Sequence, residues 1–381
     1  MFDYSKIDSP AFVLDQARLV KNLELIQKVQ NASGAKVILA LKGFSTWSVF
    51  PLVKKYLHGA TASSLFEARL IYEEMGVQAH TYSPAYFMED FADILRYSSH
   101  LTFNSLSQFE YYQSSLADYP GNISIGLRVN PEYSEVETDL YNPAVPGSRL
   151  GVLANNLPDS LPPLIKGLHV HTLCESSAAA TQKLLEAVEQ KFGHLLANLE
   201  WLNLGGGHLM TRKGYDVELL TQSLKTFKEK YPHLELILEP GSAIAWETGE
   251  LISTVLDIVE SGGVQTAIVD VSFTAHMPDT LEMPYRPTIL GAEKEPGQSP
   301  FQYRIGGVSC LAGDYMEAYG FEKPLTVGDQ LIFWDMIHYT MVKTTMFNGV
   351  KHPAIYLADF PSGTYQLIRT FQYQDFKQRL G

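Results

Sequence analysis

Lys42 stands where an apolar run of the chain ends. It closes the run Val37–Leu41 and is followed at once by Gly43, where a strand would stop. An amine held among apolar neighbours loses hydration, which disfavours the charged ammonium and favours the neutral form that attacks carbonyl carbons. Lys42 is therefore a candidate for Schiff-base chemistry, although a lysine that merely ends a strand and reaches solvent would have the same pattern.

Three further groups of chemically capable residues follow strand-like runs. The triplet 205–207 is all glycine, and successive glycine N–H groups can bind an anion. Glu239, in a Glu-Pro-Gly motif, is a carboxylate that could keep a proton on a heterocycle nitrogen. His169 and His171 share one face of a strand, where they would serve a metal or stack on a flat ring. A plain turn, an ion-paired glutamate and core histidines are the structural alternatives.

Eight short apolar runs follow one another, and stretches with helical spacing separate most of them. Strands that alternate with helices pair in parallel, and eight such units predict a closed (β/α)8 barrel with its active site at the carboxyl ends of the strands. An open doubly wound sheet is the alternative, because the runs 59–64 and 80–83 are weak enough to be loops. The runs cover residues 37–42, 59–64, 80–83, 101–104, 123–130, 167–171, 201–207 and 234–239.

The pattern of the chain changes near residue 243. Beyond it, β-rich segments are separated by Gly and Pro turns, which predicts a mostly antiparallel second domain. The opening run 9–14 is typical of a strand that pairs with this domain, and Asp15 is a candidate N-cap for the helix that follows. We therefore predict a barrel over residues 15–242 and a β domain made of residues 1–14 and 243–381.

Composition limits the partners of the chain. With 381 residues, 45% apolar content and a net charge of −13, it should fold into two domains. The charge argues against nucleic acid, because phosphate contacts require clustered Lys and Arg, and it suits a cationic small molecule. An acidic surface that simply keeps the protein in solution is an equally good explanation of the charge. No run approaches a membrane span, and the acidic start Met1-Phe2-Asp3 lacks the regions of a signal peptide. Two cysteines, Cys174 and Cys310, form no disulfide framework, so we expect a reducing cytoplasm.

The predicted second domain contains a further group of candidates. Cys310 and Asp314 lie in a glycine-flanked segment, which combines a free thiol with a carboxylate. Tyr339 and the motif Phe347-Asn348-Gly349 come later. Without context, Cys310 is more often an inert small hydrophobe and Tyr339 more often a core aromatic residue.

In this order, the motifs around Lys42, His169, the glycine triplet, Glu239, Cys310 and Tyr339 resemble those of the fold-type III pyridoxal-phosphate decarboxylases. The similarity spans nearly the whole chain, and six ordered motifs are far more specific than any one. It implies an alanine-racemase-like barrel plus a C-terminal β domain, homodimers that build each active site from both subunits, and pyridoxal 5'-phosphate as cofactor. Within the family, segments 39–44 and 276–279 look most like members that act on carboxylated polyamines.

The resemblance assigns roles in the barrel. Lys42 would bind the cofactor aldehyde, His171 would stack on the ring, and Gly206 with Gly207 would cradle the phosphate. Glu239 would keep the pyridine nitrogen protonated, which fits the chemistry, because a protonated ring delocalises the carbanion left when CO2 departs.

It also assigns roles in the second domain. Tyr339 would contact the phosphate, while Cys310 and Asp314 would come from the partner subunit, where Asp314 would contact the substrate. We assign the reprotonation of the α-carbon to Cys310. Ser242 stands where many relatives carry an arginine or glutamate, so phosphate binding would rest more on backbone N–H groups and on Tyr339.

The segment 275–287 occupies the place where this family distinguishes substrates. Asp279 and Glu282 there suit the cationic tail of a small carboxylated polyamine. Arg286 resembles the arginine with which diaminopimelate decarboxylases bind a second carboxylate. An ion pair between Arg286 and Glu282 is an equal alternative.

Four other functions stay open. A sister decarboxylase would act on diaminopimelate or ornithine. An amino-acid racemase on the same fold is disfavoured, because racemases place an arginine at the position of Glu239. A non-catalytic carrier of the cofactor would resemble the barrel alone and leave Cys310 and Tyr339 without a purpose. A metal-dependent barrel hydrolase would want ligands beyond His169 and His171, yet the other strand ends offer Lys, Ser, Asn and Gly.

Overall fold

All eight apolar runs form strands in the computed structural model, which describes residues 2–283, 285–295, 297 and 299–381. Met1 of the acidic start and Pro284 of the substrate-distinguishing segment lie outside the described residues. In chain order, the strands are β1 (Ala11–Asp15), β2 (Lys36–Val37), β3 (Leu39–Ala40), β4 (Ala60–Ala62), β5 (Ala79–Tyr82), β6 (Ser98–Phe103), β7 (Ser124–Asn130), β8 (Val152–Leu153), β9 (Ile165–His169), β10 (Trp201–Asn203), β11 (Glu235–Leu238), β12 (Gly249–Ser261), β13 (Val264–Val269), β14 (Ala292–Glu293), β15 (Phe301–Gly306), β16 (Tyr315–Phe321), β17 (Gln330–Trp334), β18 (Ala354–Asp359) and β19 (Thr364–Arg369).

Helices follow most of the barrel strands. Serine or aspartate side chains cap several of them: Ser64, Ser105, Ser177 and Asp216 each accept a backbone N–H of the first turn, a contact worth about 1 kcal/mol. The α-helices are α1 (Gln16–Ser33), α2 (Phe50–Val53), α3 (Leu65–Leu70), α4 (Phe91–Tyr97), α5 (Leu106–Ala117), α6 (Ala178–Leu196), α7 (Val217–Lys230), α8 (Ser242–Ala245), α9 (Phe273–His276), α10 (Asp279–Glu282) and α11 (Tyr373–Gln378).

The parallel strands close into a barrel. The ladder runs β11, β10, β9, β7, β6, β5, β4, and it ends on β2 at one side and on β3 at the other. β2 and β3 are consecutive parts of the segment 36–40, whose amides donate alternately to the two neighbouring strands. Ile38 N bonds to Leu238 O and Leu39 N to Gly59 O. The predicted barrel is therefore confirmed, and the open-sheet alternative is wrong.

Trp201 fills the barrel interior at the amino ends of the strands. It is the first residue of β10, is 4% exposed, and its indole N–H donates to Ser124 Oγ at 2.8 Å. Glycines on neighbouring strands provide the space, because a Cβ at Gly167 would lie 1.9 Å from the indole. Since this end is packed, a cavity for polar side chains can open only at the carboxyl ends.

The second sheet is mostly antiparallel, as predicted. Its order is β14-β16-β15-β13-β12-β1-β18-β19, with β17 also paired to β12. The N-terminal strand β1 lies antiparallel to β12 and parallel to β18. Asp15 is the last residue of β1 and caps α1, since its Oδ1 accepts the N–H of Ala17 at 3.0 Å.

The chain divides into two compact units, Asn22–Ile244 and Met1–Lys21 with Ala245–Gly381. We call them the barrel unit and the β unit. The sequence places the first boundary earlier, between residues 14 and 15, but the first residues of α1 belong to the β unit. There Arg18 donates to Glu250 at 2.7 Å. Among the described residues, no helix combines the length and the apolar character needed to cross a membrane.

Candidate active site

A cavity opens at the carboxyl ends of the barrel strands. Four residues that the sequence singled out, Lys42, His169, His171 and Glu239, contribute to its lining. Among the described residues, the lining consists of Ala40, Lys42, Thr61, Ser63, Tyr82, Pro84, Arg128, His169, His171 and Glu239. The barrel topology thus gathers side chains that lie up to about two hundred positions apart in the sequence, as strand-end residues do in this architecture.

Lys42 projects into this cavity from the end of the segment 36–40. Its side chain is open to the cavity, and its Nζ lies 3.3 Å from His171 Nε2. The loss of hydration among surrounding protein groups lowers the pKa of Lys42; Glu239 opposes this shift and Arg128 adds to it. An amine that is accessible yet poorly hydrated is suited to attack a carbonyl carbon.

Glu239 is an ionised carboxylate in the wall of the cavity. Asn203 Nδ2 donates to it at 2.6 Å, and His169 Nε2 lies 3.4 Å from its other oxygen. Burial alone would raise the pKa of Glu239, but His169 and the Asn203 amide outweigh burial and lower it to about 2. Burial also lowers the pKa of His169. At neutral pH the pair is therefore a charged Glu239 beside a neutral His169.

The glycine triplet packs against protein groups. Gly205 N donates to Asn203 Oδ1 at 2.9 Å, and Gly206 N donates to His171 Nδ1 at 2.8 Å. A Cβ at Gly206 would lie 2.6 Å from the carbonyl oxygen of Glu239, and one at Gly207 would lie 2.3 Å from Leu173. Two amides of the expected anion nest thus bind the protein itself, because the loop folds closely onto the ends of β9 and β11.

Sequence reasoning missed Arg128. This side chain is 5% exposed, donates to the carbonyl oxygen of His171 at 2.9 Å and lies 4.5 Å from the centroid of the Tyr82 ring. A signal was present, because Arg128 is a charged residue between two apolar ones in a buried strand. Such a residue is rarely buried without a role. Arg128 supplies a cation to a cavity that also holds Lys42, Glu239 and neutral imidazoles.

His169, His171 and Glu239 also meet the distance requirement of a metal site. One ligand atom from each lies within 4.8 Å of the others. However, His171 Nδ1 already accepts the Gly206 amide, and Arg128 lines the same cavity, where its positive charge opposes a metal cation. We do not assign these residues as metal ligands.

In the β unit, Asp314 holds the loop that carries Cys310. Asp314 is 4% exposed; its Oδ1 accepts Thr274 N at 3.0 Å and its Oδ2 accepts Ser309 N at 3.1 Å. Cys310 N donates to Asn348 Oδ1 at 2.8 Å, and the Cys310 side chain is exposed. Because both oxygens of Asp314 bind backbone amides, the expected contact with substrate would compete with bonds that shape this loop.

The two acids expected to bind a cationic tail have partners within the β unit. Asp279 Oδ2 accepts the hydroxyls of Tyr285 at 2.7 Å and of Thr340 at 2.9 Å, whereas its Oδ1 is buried without a hydrogen-bond partner among the described residues. Glu282 pairs with Lys343. Asp279 therefore keeps one oxygen for a further donor, and Glu282 is largely neutralised.

Arg286 is bound by the backbone of strand β16 and by neighbouring side chains. Its guanidinium donates to the carbonyl oxygens of residues 317 and 318 at 3.0 and 2.6 Å, lies 4.5 Å from the centroid of the Tyr319 ring, and pairs with Glu295 at 3.1 Å. The sequence offered Glu282 as its partner, and the structure gives Glu295. These contacts occupy the two terminal nitrogens of the guanidinium, whereas its Nε is buried without a hydrogen-bond partner among the described residues.

Tyr339 lies in a segment with unusual backbone angles. Its φ is 50°, and Asp335 and Asn348 have φ of 60° and 55°. Residues other than glycine seldom occupy this left-handed region, and such residues concentrate at functional sites. The segment 335–348 is therefore a second functional candidate, separate in sequence from the barrel residues.

Comparisons with known proteins identify the family. The family model described as "Pyridoxal-dependent decarboxylase, C-terminal sheet domain" matches residues 11–337. The chain is 52% identical to a carboxyaminopropylagmatine decarboxylase of Synechocystis sp., over 99% of this chain and 96% of the relative. It is 43% identical to a carboxynorspermidine/carboxyspermidine decarboxylase of Campylobacter jejuni, over 99% of both.

A solved structure agrees with these relatives. The crystal structure of carboxynorspermidine decarboxylase from Campylobacter jejuni complexed with norspermidine has a TM-score of 0.89 to this chain at 42% identity, covering 98% of this chain and all of the other. The matches span the barrel unit and the β unit alike, so the reading as a cofactor carrier built from the barrel alone is wrong. The chain belongs to the pyridoxal-dependent decarboxylases, the family of ornithine, diaminopimelate and arginine decarboxylases, and is a lyase that uses pyridoxal phosphate.

Proposed function

We propose that this protein decarboxylates a carboxylated polyamine, converting carboxynorspermidine or carboxyspermidine to norspermidine or spermidine in polyamine biosynthesis. The proposal depends on one observation: an accessible amine, Lys42, and an ionised carboxylate, Glu239, line the same barrel cavity. Relatives that align over the whole chain and are named for these substrates support the substrate class.

The side chains of the cavity fit pyridoxal 5'-phosphate. Lys42 would bind the aldehyde carbon, and Glu239 would hold a proton on the pyridine nitrogen, because an ionised carboxylate stabilises the positive charge of the protonated ring. The ring of His171 offers a flat surface, and Arg128 offers a cation for the anionic groups of the cofactor. The amides of Gly205 and Gly206 already donate to protein groups. We therefore assign phosphate binding to Gly207 together with Tyr339. Gly206 binds His171 instead.

The chemistry of the reaction divides between cofactor and protein. When bound, the cofactor supplies an electron sink for the carbanion left by CO2. Glu239 keeps that sink cationic, and Lys42 provides the amine that anchors the cofactor. Cys310 Sγ donates a proton to the α-carbon, and Asp314 positions the loop of Cys310 through its two backbone bonds. We further propose that the protein acts in the cytoplasm as a homodimer whose partner subunit supplies the Cys310 loop.

Asp279 is the residue we assign to the cationic tail. Its free, buried Oδ1 is a charged acceptor beside an oxygen that is already fixed by two hydroxyls. Glu282 contributes less because Lys343 already pairs with it. Arg286 is engaged by its own sheet, which disfavours diaminopimelate, a substrate with a second carboxylate to be bound. Nucleic acid and membranes have no part in this proposal.

A second candidate substrate is carboxyaminopropylagmatine. The relative named for it is 52% identical to this chain over almost its full length. Both candidate substrates carry a carboxylate to be lost and a cationic tail, and they differ because agmatine ends in a guanidinium where the polyamines end in an amine. The two candidate substrates therefore differ in the group at the end of the tail, and both would undergo the same reaction at Lys42.

A parallel assay tests the proposal. CO2 release is measured with carboxynorspermidine, carboxyspermidine, carboxyaminopropylagmatine, diaminopimelate and ornithine at equal concentrations. We expect one of the first three to give a kcat/KM at least about tenfold above the last two, the discrimination that one buried charge pair supplies. Preference for diaminopimelate or ornithine would overturn the substrate class, and preference for carboxyaminopropylagmatine would select the second candidate.

A further inference from the structure

His171 lies between two groups, one that can only donate a hydrogen bond and one that can either donate or accept a hydrogen bond. Its Nδ1 is 2.8 Å from the backbone nitrogen of Gly206, and its Nε2 is 3.3 Å from Lys42 Nζ. A backbone N–H has no lone pair, so Nδ1 must be the acceptor in this contact. Burial lowers the pKa of His171 well below its usual value, so the ring is neutral and its single proton lies on Nε2.

The tautomer of His171 restricts the charge state of Lys42. An Nε2–H that faces Nζ needs a lone pair there, and an amine has one whereas an ammonium has three protons and none. A charged Lys42 would place N–H against N–H, unless His171 moved its proton to Nδ1 and lost the bond from Gly206. The Gly206 amide, His171 and Lys42 therefore form a chain in which each member donates to the next.

We propose that His171 is a positioning residue that holds Lys42 as the free amine by donating its Nε2 proton to Nζ. This role rests on the proposed function, because the free amine is the form that bonds to an aldehyde carbon. It also gives Gly206 a purpose other than phosphate binding: its amide fixes the tautomer.

Other titratable groups around Lys42 shift its pKa in both directions. Glu239 at the end of β11, Glu67 on α3 and Cys174 after β9 favour the ammonium, whereas Arg128 on β7 and the loss of hydration favour the amine. With opposing influences of this kind, one hydrogen bond shifts a titration midpoint by about one pH unit.

The first test observes the tautomer without any substitution. In the full-length protein freed of cofactor, 15N NMR of the histidine rings identifies which nitrogen of His171 carries the proton, with the His171→Phe variant providing the assignment. We expect the Nε2-protonated form at neutral pH. A Nδ1-protonated or doubly protonated ring would overturn the proposal.

The second test measures the titration of Lys42. Acetylation by a limiting amount of acetic anhydride, quantified by mass spectrometry across pH, gives the midpoint of Lys42, with exposed Lys183 as the internal reference. We expect His171→Phe to raise the midpoint by about one pH unit and His171→Gln, which keeps a donor and an acceptor, to restore most of the difference. The more apolar phenyl ring by itself would lower the midpoint, so an unchanged or lowered value rejects the proposal.

Covalent trapping separates this inference from the proposed function. Borohydride reduction after addition of pyridoxal phosphate reports whether Lys42 holds the cofactor. Trapping at Lys42 together with the wrong His171 tautomer removes only the role of His171, whereas the expected tautomer without trapping removes the cofactor role of Lys42.

Discussion

The barrel unit and the β unit use their charged residues in different ways. In the barrel cavity, Lys42, Arg128 and Glu239 face a common space, and the closest contacts of Lys42 and Arg128 are to an imidazole and a carbonyl oxygen. In the β unit, Asp314 binds two backbone amides, and Arg286 binds two carbonyl oxygens and a carboxylate.

This difference shows where binding energy for a ligand is available. Charges that face a cavity without full pairing are poised to interact with whatever enters, and their pKa values shift because of it. Charges that already have partners stabilise loops and sheets, and a ligand gains little from them. The charged residues of the barrel cavity are therefore available to a ligand, whereas Asp314 and Arg286 of the β unit maintain the shape of its loops.

The largest expected effect is at Lys42. Lys42→Ala should lower kcat/KM at least about 1000-fold, because the proposed covalent anchor of the cofactor is lost. The measurement is CO2 release, with borohydride trapping and peptide mapping for the cofactor. Lys36→Ala is a matched control in the same segment, since Lys36 pairs with Glu235 outside the cavity. Normal turnover in Lys42→Ala would remove the cavity from the mechanism.

Glu239→Gln should lower kcat about 100- to 1000-fold, as expected for the loss of one preorganised charge. Its stability effect depends on pH. The folded-state pKa of Glu239, about 2, lies below the ordinary 4.5, so ionised Glu239 stabilises the fold above about pH 4.5 and loses this contribution as the pH falls toward 2.

Urea unfolding at about pH 5 and pH 3 checks that sign. The loss of unfolding free energy between the two pH values should be smaller for Glu239→Gln than for the unchanged protein. If both proteins lost the same free energy of unfolding, His169 and Asn203 would not lower the pKa of Glu239 in the native state.

A substitution at Arg286 tests whether a charged residue of the β unit stabilises the fold without binding substrate. Arg286→Met should lower the free energy of unfolding by about 1–3 kcal/mol, because two carbonyl oxygens and Glu295 lose their donor. The ratio of kcat/KM between carboxynorspermidine and diaminopimelate should stay the same. Should the ratio change while stability is kept, Arg286 binds substrate and the β unit is more than a scaffold at this point.

The smallest expected effect is at the two acids of α10. Asp279→Asn should raise KM for a cationic substrate about 5- to 30-fold, the value of one charge-assisted hydrogen bond. Glu282→Gln should raise it less than about fivefold, because Lys343 already neutralises that carboxylate. Steady-state kinetics, with exposed Glu322→Gln as control, decides the order. The reverse ranking would transfer tail recognition to Glu282.

The fold followed from local patterns. Apolar runs of strand length alternate with helical spacing along the chain, and that alternation depends only on the neighbours of each residue. The positions of Lys42 and Glu239 at the ends of such runs were visible for the same reason. Even the weak runs near residues 60 and 80 form strands, since a barrel needs every member to close its hydrogen-bond ladder.

The allocation of hydrogen-bond partners was decided by tertiary structure. The sequence predicted Asp314 as a substrate contact and Gly206 as a phosphate ligand, and both bind protein groups that are distant in the chain. Arg128 was missed because its local signal, a charged residue between two apolar ones, does not show that its side chain faces the cavity. Periodicity and strand ends are local properties that a sequence determines by itself, whereas a hydrogen bond requires two atoms within about 3 Å, and only the folded chain determines which atoms come that close.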